Sequence, residues 1–426
     1  MQKLKVNSFE LLFCKFILLL LQAEKHIKVE KKKIIVGLSG GVDSSVVAYL
    51  LKEQGHDVHA IYMINWHDTV GVIEGSCPDD DDILIARMVA KKLDIPFQVV
   101  DFSEVYSKKV VDYMFDEYQR GRTPNPDVLC NREVKFDVFL KKAIELGADF
   151  VATGHYCRKE TINVNGTETY RLLAGKDNNK DQSYFLCGLS QEQLEKALFP
   201  IGYLEKSVVR EIAKEQKLAS SHKKDSQGIC FVGKVDLPTF LQQKLKTKKG
   251  DIIKIEKDHK EHFKTENYEQ LPLNERLKIL SEKYFYKPED GKIVGSHNGA
   301  HFYTIGQRRG LGIGGLKEPP FVVDIDTVTN TVYIGEGKQH PGLFRKALFI
   351  DKSEIHWVRP DLEMQNDDLK KMLVRIRYRQ ALQKATVYMQ SEGMYIVFDE
   401  DQRGITSGQF AALYNDDELI ASGVIS

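Results

Sequence analysis

The sequence predicts an α/β chain with a parallel-sheet N-terminal domain, a small central domain and a C-terminal antiparallel β-barrel. Three observations carry that expectation. Short β-branched runs alternate with helical patterns over the first 150 or so residues, the signature of parallel strands joined by right-handed crossovers. A glycine-rich string joins the first such run to the first helix. From about residue 320 onward, short alternating strands are separated by turns such as Gly335-Glu336-Gly337.

In order, Ile34 to Leu38 reads as a buried strand, and an amphipathic helix runs through Val46, Val47, Tyr49, Leu50 and Leu51 to a stop at Gly55. Val58 to Met63 is the second strand. The acidic stretch Asp79 to Asp82 suits a helix N-terminus, with the helix running to Leu93. A third strand at Phe97 to Val100, helices over 104–119 and 135–146, and a strand at Phe150 to Thr153 complete the α/β pattern. Residues 244–295 are rich in Lys and Glu with weak periodicity and read as a solvated, loop-rich insertion. Strands are expected at 321–325, 332–334, 374–378, 385–389 and 394–398. The implied division is an extension over 1–30, a catalytic domain over 31–230, a central domain over 231–345 and a barrel over 346–426.

At roughly 150 residues per domain, 426 residues make two or three domains. A chain 42% hydrophobic and 29% charged is neither disordered, nor collagen-like, nor a multispanning membrane protein. Lys+Arg and Asp+Glu are both 61, which excludes a globally basic coat and leaves room for a local basic face. Six cysteines without a C-x-x-C pair make neither a disulfide scaffold nor a zinc ribbon, and suit a reducing compartment. The apolar run Phe16 to Leu21 is too short to span a bilayer, which needs about 20 residues. A dispensable extension, an accessory helix and a sorting signal all remain open for it.

Strand, glycine-rich loop and helix make a phosphate cradle: glycines permit the tight turn, and the helix N-terminus supplies amides and a dipole. The string Ser39-Gly40-Gly41-Val42-Asp43-Ser44 is neither a Walker A loop nor a G-x-G-x-x-G fingerprint. It resembles the PP-loop ATP pyrophosphatases, within the adenine nucleotide alpha-hydrolase-like fold. Those enzymes cleave ATP between the α and β phosphates and adenylate a carbonyl oxygen. The resemblance implies pyrophosphate contacts from Ser39, Gly40, Gly41, Asp43 and Ser44, with Asp43 near Mg²⁺.

Gly121-Arg122-Thr123-Pro124-Asn125-Pro126-Asp127-Val128-Leu129-Cys130-Asn131 is a stiff proline-flanked loop leading to a cysteine at a helix start, where a thiol pKa can be depressed. A buried helix-start cysteine beside an Asx turn fits the same residues. Asp225-Ser226-Gln227-Gly228-Ile229-Cys230-Phe231 holds a second cysteine, for which a structural role is equally open.

These segments occur in order with Ala152-Thr153-Gly154-His155-Tyr156, Lys180-Asp181-Gln182-Ser183-Tyr184-Phe185 and Tyr303-Thr304-Ile305-Gly306-Gln307-Arg308-Arg309-Gly310. Together they resemble the tRNA-specific 2-thiouridylase (MnmA) family over about residues 32–426. That family makes 2-thiouridine at the wobble position of tRNAs for Lys, Glu and Gln. The resemblance implies ATP binding by Gly37, Leu38, Ser39, Gly40, Gly41, Val42, Asp43, Ser44, Met63 and Gly154. It implies a persulfide on Cys230, supplied by a sulfur-relay protein or a cysteine desulfurase, a resolving disulfide to Cys130, and acid/base work by Asp127; an iron–sulfur cluster on Asp127, Cys130 and Cys230 is the alternative the resemblance leaves open. For tRNA it points to Asn125, Pro126 and Asp127 at the target base, and to His155, Lys180, Asp181, Gln182, Arg377, Tyr378 and Gln409, while His155 also fits a satisfied core histidine. Arg375 to Arg379 reads as one strand with basic residues on one face and Tyr378 opposite, which also fits a charge-protected edge. Cys14, Cys77, Cys157 and Cys187 read as inert. ATP, reduced thiols and tRNA coexist in the cytoplasm, the expected compartment, with a mitochondrial setting as the minor alternative.

Overall fold

The structure is a computed structural model that describes residues 30–67, 80–225, 236–264 and 268–426. The N-terminal extension, Cys77 and the string from Ser226 through Cys230 to Phe231 lie outside the described residues.

The first strands are β1 (Lys33–Gly37), β2 (Asp57–Ile64), β3 (Phe97–Asp101), β4 (Phe150–Ala152), a hairpin of β5 (Cys157–Val164) and β6 (Thr167–Ala174), and the two-residue β7 (Ala197–Leu198). Five of them form a parallel sheet in the order β3-β2-β1-β4-β7. Chain order runs outward from β1 through β2 to β3, then reverses to the other side of β1 with β4. The crevice beyond the carboxyl ends of β1 and β4 is therefore a topological switch point, where open α/β sheets take their ligands.

Alternation along β1 explains the two layers. Ile34 and Val36 join the core under helices α1 (Val42–Glu53) and α2 (Asp80–Leu93), while Ile35 faces the opposite core. That second core packs against α3, which runs Ser103–Tyr106, then π-helical Ser107–Val111, then Asp112–Gln119. It also packs against α4, which runs Pro126–Leu129, π-helical Cys130–Val138, then Phe139–Glu145. Helix α4 starts well before the expected residue 135. Asn125 caps it by accepting from the Val128 N–H at 3.3 Å, and Pro126 fills the first helical position, where a missing N–H costs nothing. The stiff loop of the sequence reading is thus partly a helix start. Helix α5 (Lys206–Glu215) closes the first layer beside α1.

The loop-rich expectation for 244–295 is corrected. That stretch contributes β8 (Gly250–Ile255), helix α6 (Leu273–Ser281) and β9 (Lys292–His297). They join β10 (Pro320–Asp326) and β11 (Thr331–Glu336) in a central sheet ordered β10-β11-β8-β9, with β8 parallel to β11. The strands from 320 to 336 therefore belong to the central sheet and not to the barrel. Ile252, Ile253 and Ile255 are buried, and their short apolar signal is diluted by flanking lysines and glutamates.

The C-terminal strands are β12 (Phe344–Asp351), β13 (Ile355–Trp357), β14 (Leu369–Arg375), β15 (Gln383–Gln390), β16 (Gly393–Arg403), β17 (Phe410–Asn415) and β18 (Glu418–Val424). They make an antiparallel sheet, β12-β16-β15-β14-β17-β18, which the β5–β6 hairpin extends through β6 on β18. The expected strand 374–378 is displaced: β14 ends at Arg375, and residues 376–379 turn away. No helix among the described residues is long and apolar enough to cross a membrane.

Candidate functional site

The glycine-rich loop sits at the switch point. The Leu38 N–H still donates to the Ile61 carbonyl at 2.9 Å, so the chain leaves the sheet only at Ser39. Gly40 has φ +73°, and a Cβ there would lie 2.5 Å from the Asp82 carbonyl oxygen, so only glycine fits. Gly41 caps α1. The Ser44 hydroxyl accepts from the Ser39 N–H at 3.2 Å, and the Ser45 hydroxyl donates to the Gly41 carbonyl at 2.7 Å. Gly154, just past β4, lies against the start of α1. A Cβ on it would be 3.0 Å from the Ser44 amide nitrogen and 3.0 Å from Asp43 Cβ. A Cβ on Gly37 would lie 3.2 Å from Met63 Cε. Gly37, Met63, Gly154 and the Ser39–Ser44 loop thus converge at the ends of β1, β2 and β4. The absent side chain at 154 lets the end of β4 approach the first turn of a 12-residue helix, whose N-terminus suits an anionic phosphate.

Asp43 is held from two sides. Lys206 Nζ contacts its oxygens at 2.7 and 2.8 Å, and the Tyr156 hydroxyl donates to it at 2.8 Å. Lys206 also pairs with Asp225 at 2.9 Å, and Asp225 receives Lys180 at 2.8 Å and Arg210 at 2.5 Å. Burial alone would raise the Asp225 carboxyl, but hydrogen bonds and charge from Lys180 and Lys206 prevail and hold it well below the usual carboxylate range. Burial, reinforced by the Asp43 charge, pushes the Tyr156 phenol far up, so it remains a donor.

Cys130 is fully buried in α4, in the core that also holds Met63 and Ile35. Asp127 is half-buried one helical turn earlier. Cys157 and Cys187 are buried as well, and desolvation pushes the Cys187 thiol up to about 12. Cys230 lies outside the described residues, so its separation from Cys130 is not part of this geometry.

The residues singled out for RNA divide into two groups. Asn125, Pro126, Asp127, Gln182, Tyr378 and Gln409 are partly accessible, and Arg377 is exposed. Gln409 Nε2 donates to the Thr123 and Pro124 carbonyls at 2.9 Å each, and Asn125 Nδ2 donates to Gln409 Oε1 at 3.4 Å. Gln182 Oε1 accepts from the Tyr156 N–H at 3.0 Å. The Tyr378 ring packs 4.3 Å from that of Phe185. Lys180 is committed to Asp225. Asp181 and His155 are interior. Asp181 Oδ2 accepts from Arg375 Nη1 at 2.9 Å, while its Oδ1 accepts from the Gly175 and Ser183 N–H groups. His155 Nδ1 pairs with the Thr153 hydroxyl at 2.7 Å. Burial, then the nearby Lys135 charge, lowers its pKa well below the ordinary value, so the ring is neutral. Arg375 is buried rather than on a basic strand face, which corrects the alternation expected for 375–379.

Lys206 is the residue that sequence reasoning missed. One signal could have found it: a lysine in the first turn of α5 opposes the helix dipole, so its charge needs an anion elsewhere.

Three family models match the chain. They are described as tRNA methyl transferase HUP domain over residues 32–234, tRNA methyl transferase PRC-barrel domain over 273–336, and Aminomethyltransferase beta-barrel domain over 349–425. Curated relatives match over much longer spans. A tRNA-specific 2-thiouridylase MnmA from Flavobacterium johnsoniae is 58% identical over 395 residues, covering 93% of this chain and 100% of that protein. The one from Christiangramia forsetii is 57% identical over the same shares, and that of Bacillus subtilis 43% identical over 93% of this chain and 95% of its own. The domain models speak of methyl transfer, but identity along nearly the whole chain outweighs a domain description, and the chain belongs to the tRNA-specific 2-thiouridylase MnmA family.

Proposed function

We propose that this enzyme is a sulfurtransferase that performs ATP-dependent 2-thiolation of the wobble uridine, U34, in tRNAs for Lys, Glu and Gln. Membership of the 2-thiouridylase family supports the reaction class. The observation that carries the nucleotide half is the convergence of Gly37, the Leu38–Ser44 loop including Val42, Met63 and Gly154 at the switch point.

The chemistry follows from the leaving group. The uridine O2 attacks the α-phosphorus of ATP, and pyrophosphate departs. Oxide is a poor leaving group from C2, and AMP is a far better one. Asp43, the one carboxylate of the loop, would hold Mg²⁺, which would supply charge neutralisation at the phosphates. The terminal sulfur of a persulfide on Cys230 attacks C2. Cys130 then attacks the Cys230 sulfur, breaking the S–S bond and forming the Cys130–Cys230 disulfide, while AMP leaves. A thiol reductant restores both cysteines, and a sulfur-relay protein or cysteine desulfurase reloads Cys230. Asp127, one turn from Cys130, accepts the Cys130 thiol proton as that sulfur attacks. The target base must leave the anticodon stack to expose C2 and O2, with Asn125, Pro126 and Asp127 at the base. His155, Lys180, Asp181, Gln182, Arg377, Tyr378 and Gln409 act on the tRNA side, Asp181 and His155 by holding its loops from within. Residues 31–230 form the catalytic unit, with 231–345 and 346–426 framing the tRNA. The cytoplasm supplies ATP, reduced thiols and tRNA together.

The test is mass spectrometry of tRNA incubated with the full chain, ATP, Mg²⁺ and a sulfur donor. The wobble uridine should gain the mass of one oxygen-to-sulfur exchange, and Cys230→Ser should abolish the gain. Thiolation that proceeds without nucleotide, or with serine at both 130 and 230, would refute the mechanism.

A further inference from the structure

The Ser39–Ser44 loop contains no lysine or arginine. A helix N-terminus is worth only about half a positive charge, whereas a nucleoside triphosphate carries several negative ones. The Asp43 carboxylate worsens the mismatch, whereas Asp225 is already offset by Lys180 and Arg210. The cradle therefore needs a side-chain cation, and Lys206 is placed to be it. Its ammonium touches both carboxylates, with oxygens of Asp43 at 2.7 and 2.8 Å and of Asp225 at 2.9 Å. The Lys206 side chain is only 11% exposed, and its charge stands 5.6 Å from the Tyr156 ring centroid. The Lys206 backbone N–H is fixed by Asp177 Oδ2 at 3.0 Å. A lysine held inward against its own helix dipole, on the acidic residue of the loop itself, is costly as mere decoration.

We propose that Lys206 is a polyphosphate-binding residue of the ATP site, a role that rests on the ATP reading above. In the free protein its ammonium pairs with Asp43 and shares Asp225 with Lys180 and Arg210. When a triphosphate enters, the Lys206 ammonium turns to the phosphate oxygens, and the Asp43 carboxylate it leaves would be free to hold a divalent cation. Lys206 thus does for this loop what a loop lysine does in a Walker A cradle, from a helix some 160 residues downstream.

The experiment is equilibrium titration of the full chain with ATP, inorganic pyrophosphate and adenosine, each with Mg²⁺, for wild type, Lys206→Met and Lys206→Arg. Loss of a charge-assisted phosphate contact should weaken ATP and pyrophosphate binding by about 10- to 100-fold in Lys206→Met while adenosine stays within about twofold. Lys206→Arg should recover most of the loss. Equal weakening of ATP and adenosine, or unchanged ATP binding, overturns the proposal. A wild type that binds neither ATP nor pyrophosphate overturns the ATP reading as well. A second measurement needs no variant: an acyl-phosphate derivative of ATP, which transfers its acyl group to a lysine amine near the phosphates and releases ATP. It should label Lys206 in the wild type and be competed by ATP. Labelling confined to other lysines sinks the proposal.

Discussion

Replace Gly154 by alanine and the new methyl lands 3.0 Å from the Ser44 amide nitrogen, 3.0 Å from Asp43 Cβ and 3.1 Å from the Asp43 carbonyl carbon. The φ of Gly154 lies outside the left-handed region, so the backbone itself accepts alanine. The whole effect is steric, and it falls on the start of α1. Relief requires the helix terminus or the end of β4 to move by a few tenths of an ångström, an overpacking cost of about 1–3 kcal/mol to the fold. For a bound phosphate the methyl stands over the Ser44 amide. Losing one charge-assisted hydrogen bond there is worth about 1.5–3 kcal/mol, or roughly 10- to 150-fold in Kd. The assay is ATP titration beside thermal unfolding of Gly154→Ala. The expected result is a large loss of ATP affinity with a folded protein. Wild-type ATP affinity in a folded Gly154→Ala would refute the placement of the phosphates at this helix terminus.

Three further outcomes can be checked on the same protein. Asp181→Asn leaves Arg375 charged and buried, so unfolding stability should fall by about 3–5 kcal/mol, and adding Arg375→Met should recover much of it in denaturant titrations. His340 is fully buried; its Nδ1 accepts from the Gly342 N–H and its Nε2 faces the Ile255 carbonyl, so the neutral ring is required. Burial, then the neighbouring His262, lowers its pKa to about 4. Because the folded value lies below the unfolded one near 6.5, the associated stability is present above pH 6.5 and is lost as pH falls toward about 4. The total is about 3 kcal/mol, and His340→Gln should flatten that part of the pH–stability curve. Cys130, Cys157 and Cys187 are buried, so iodoacetamide at mildly alkaline pH should leave all three unmodified in the native protein and modify them after denaturation, as read by peptide mapping.

The α/β half was legible in the sequence because its signals are local. The Ile34–Leu38 run, the Gly40–Gly41 turn and the first-turn Asp43 each point to the same strand–loop–helix unit, and that agreement across levels is what makes a motif readable. What was not legible depends on partners far away in the chain. Alternation at 320–336 reveals strands, but not that β11 pairs in parallel with β8, Val332 opposite Ile252. The charged residues between 244 and 295 mask Ile252, Ile253 and Ile255, whose burial needs a sheet assembled from distant segments. Arg375 reads as a basic strand residue until Asp181 is brought to it from another domain's loop. Lys206 shows its role only once the fold sets it on Asp43.

Residues 121–125 show why the proposed base-contacting loop cannot be separated from the rest of the molecule. The Thr123 N–H donates to the Ser407 carbonyl at 2.8 Å, and the Thr123 hydroxyl donates to that of Thr304 at 3.2 Å. Gln409 then reaches the carbonyls of Thr123 and Pro124. One short loop is thereby tied both to the Gly-rich segment near 304 and to the C-terminal sheet. Truncating Gln409 to alanine removes both donations to the loop at once. At about 0.5–1.5 kcal/mol per hydrogen bond, the loop loses roughly 1–3 kcal/mol of ordering, equivalent to about 5- to 150-fold. If Asn125, Pro126 and Asp127 position the target base, this loss should appear in kcat/KM for tRNA, because a loosened loop must be ordered again at each encounter. ATP affinity should not change, since nothing at the switch point touches Gln409. Steady-state thiolation with tRNA as the varied substrate, beside ATP titration, separates the two. Unaltered tRNA kinetics in Gln409→Ala would mean that the Thr123–Asn125 loop holds the domains together and plays no part at the base.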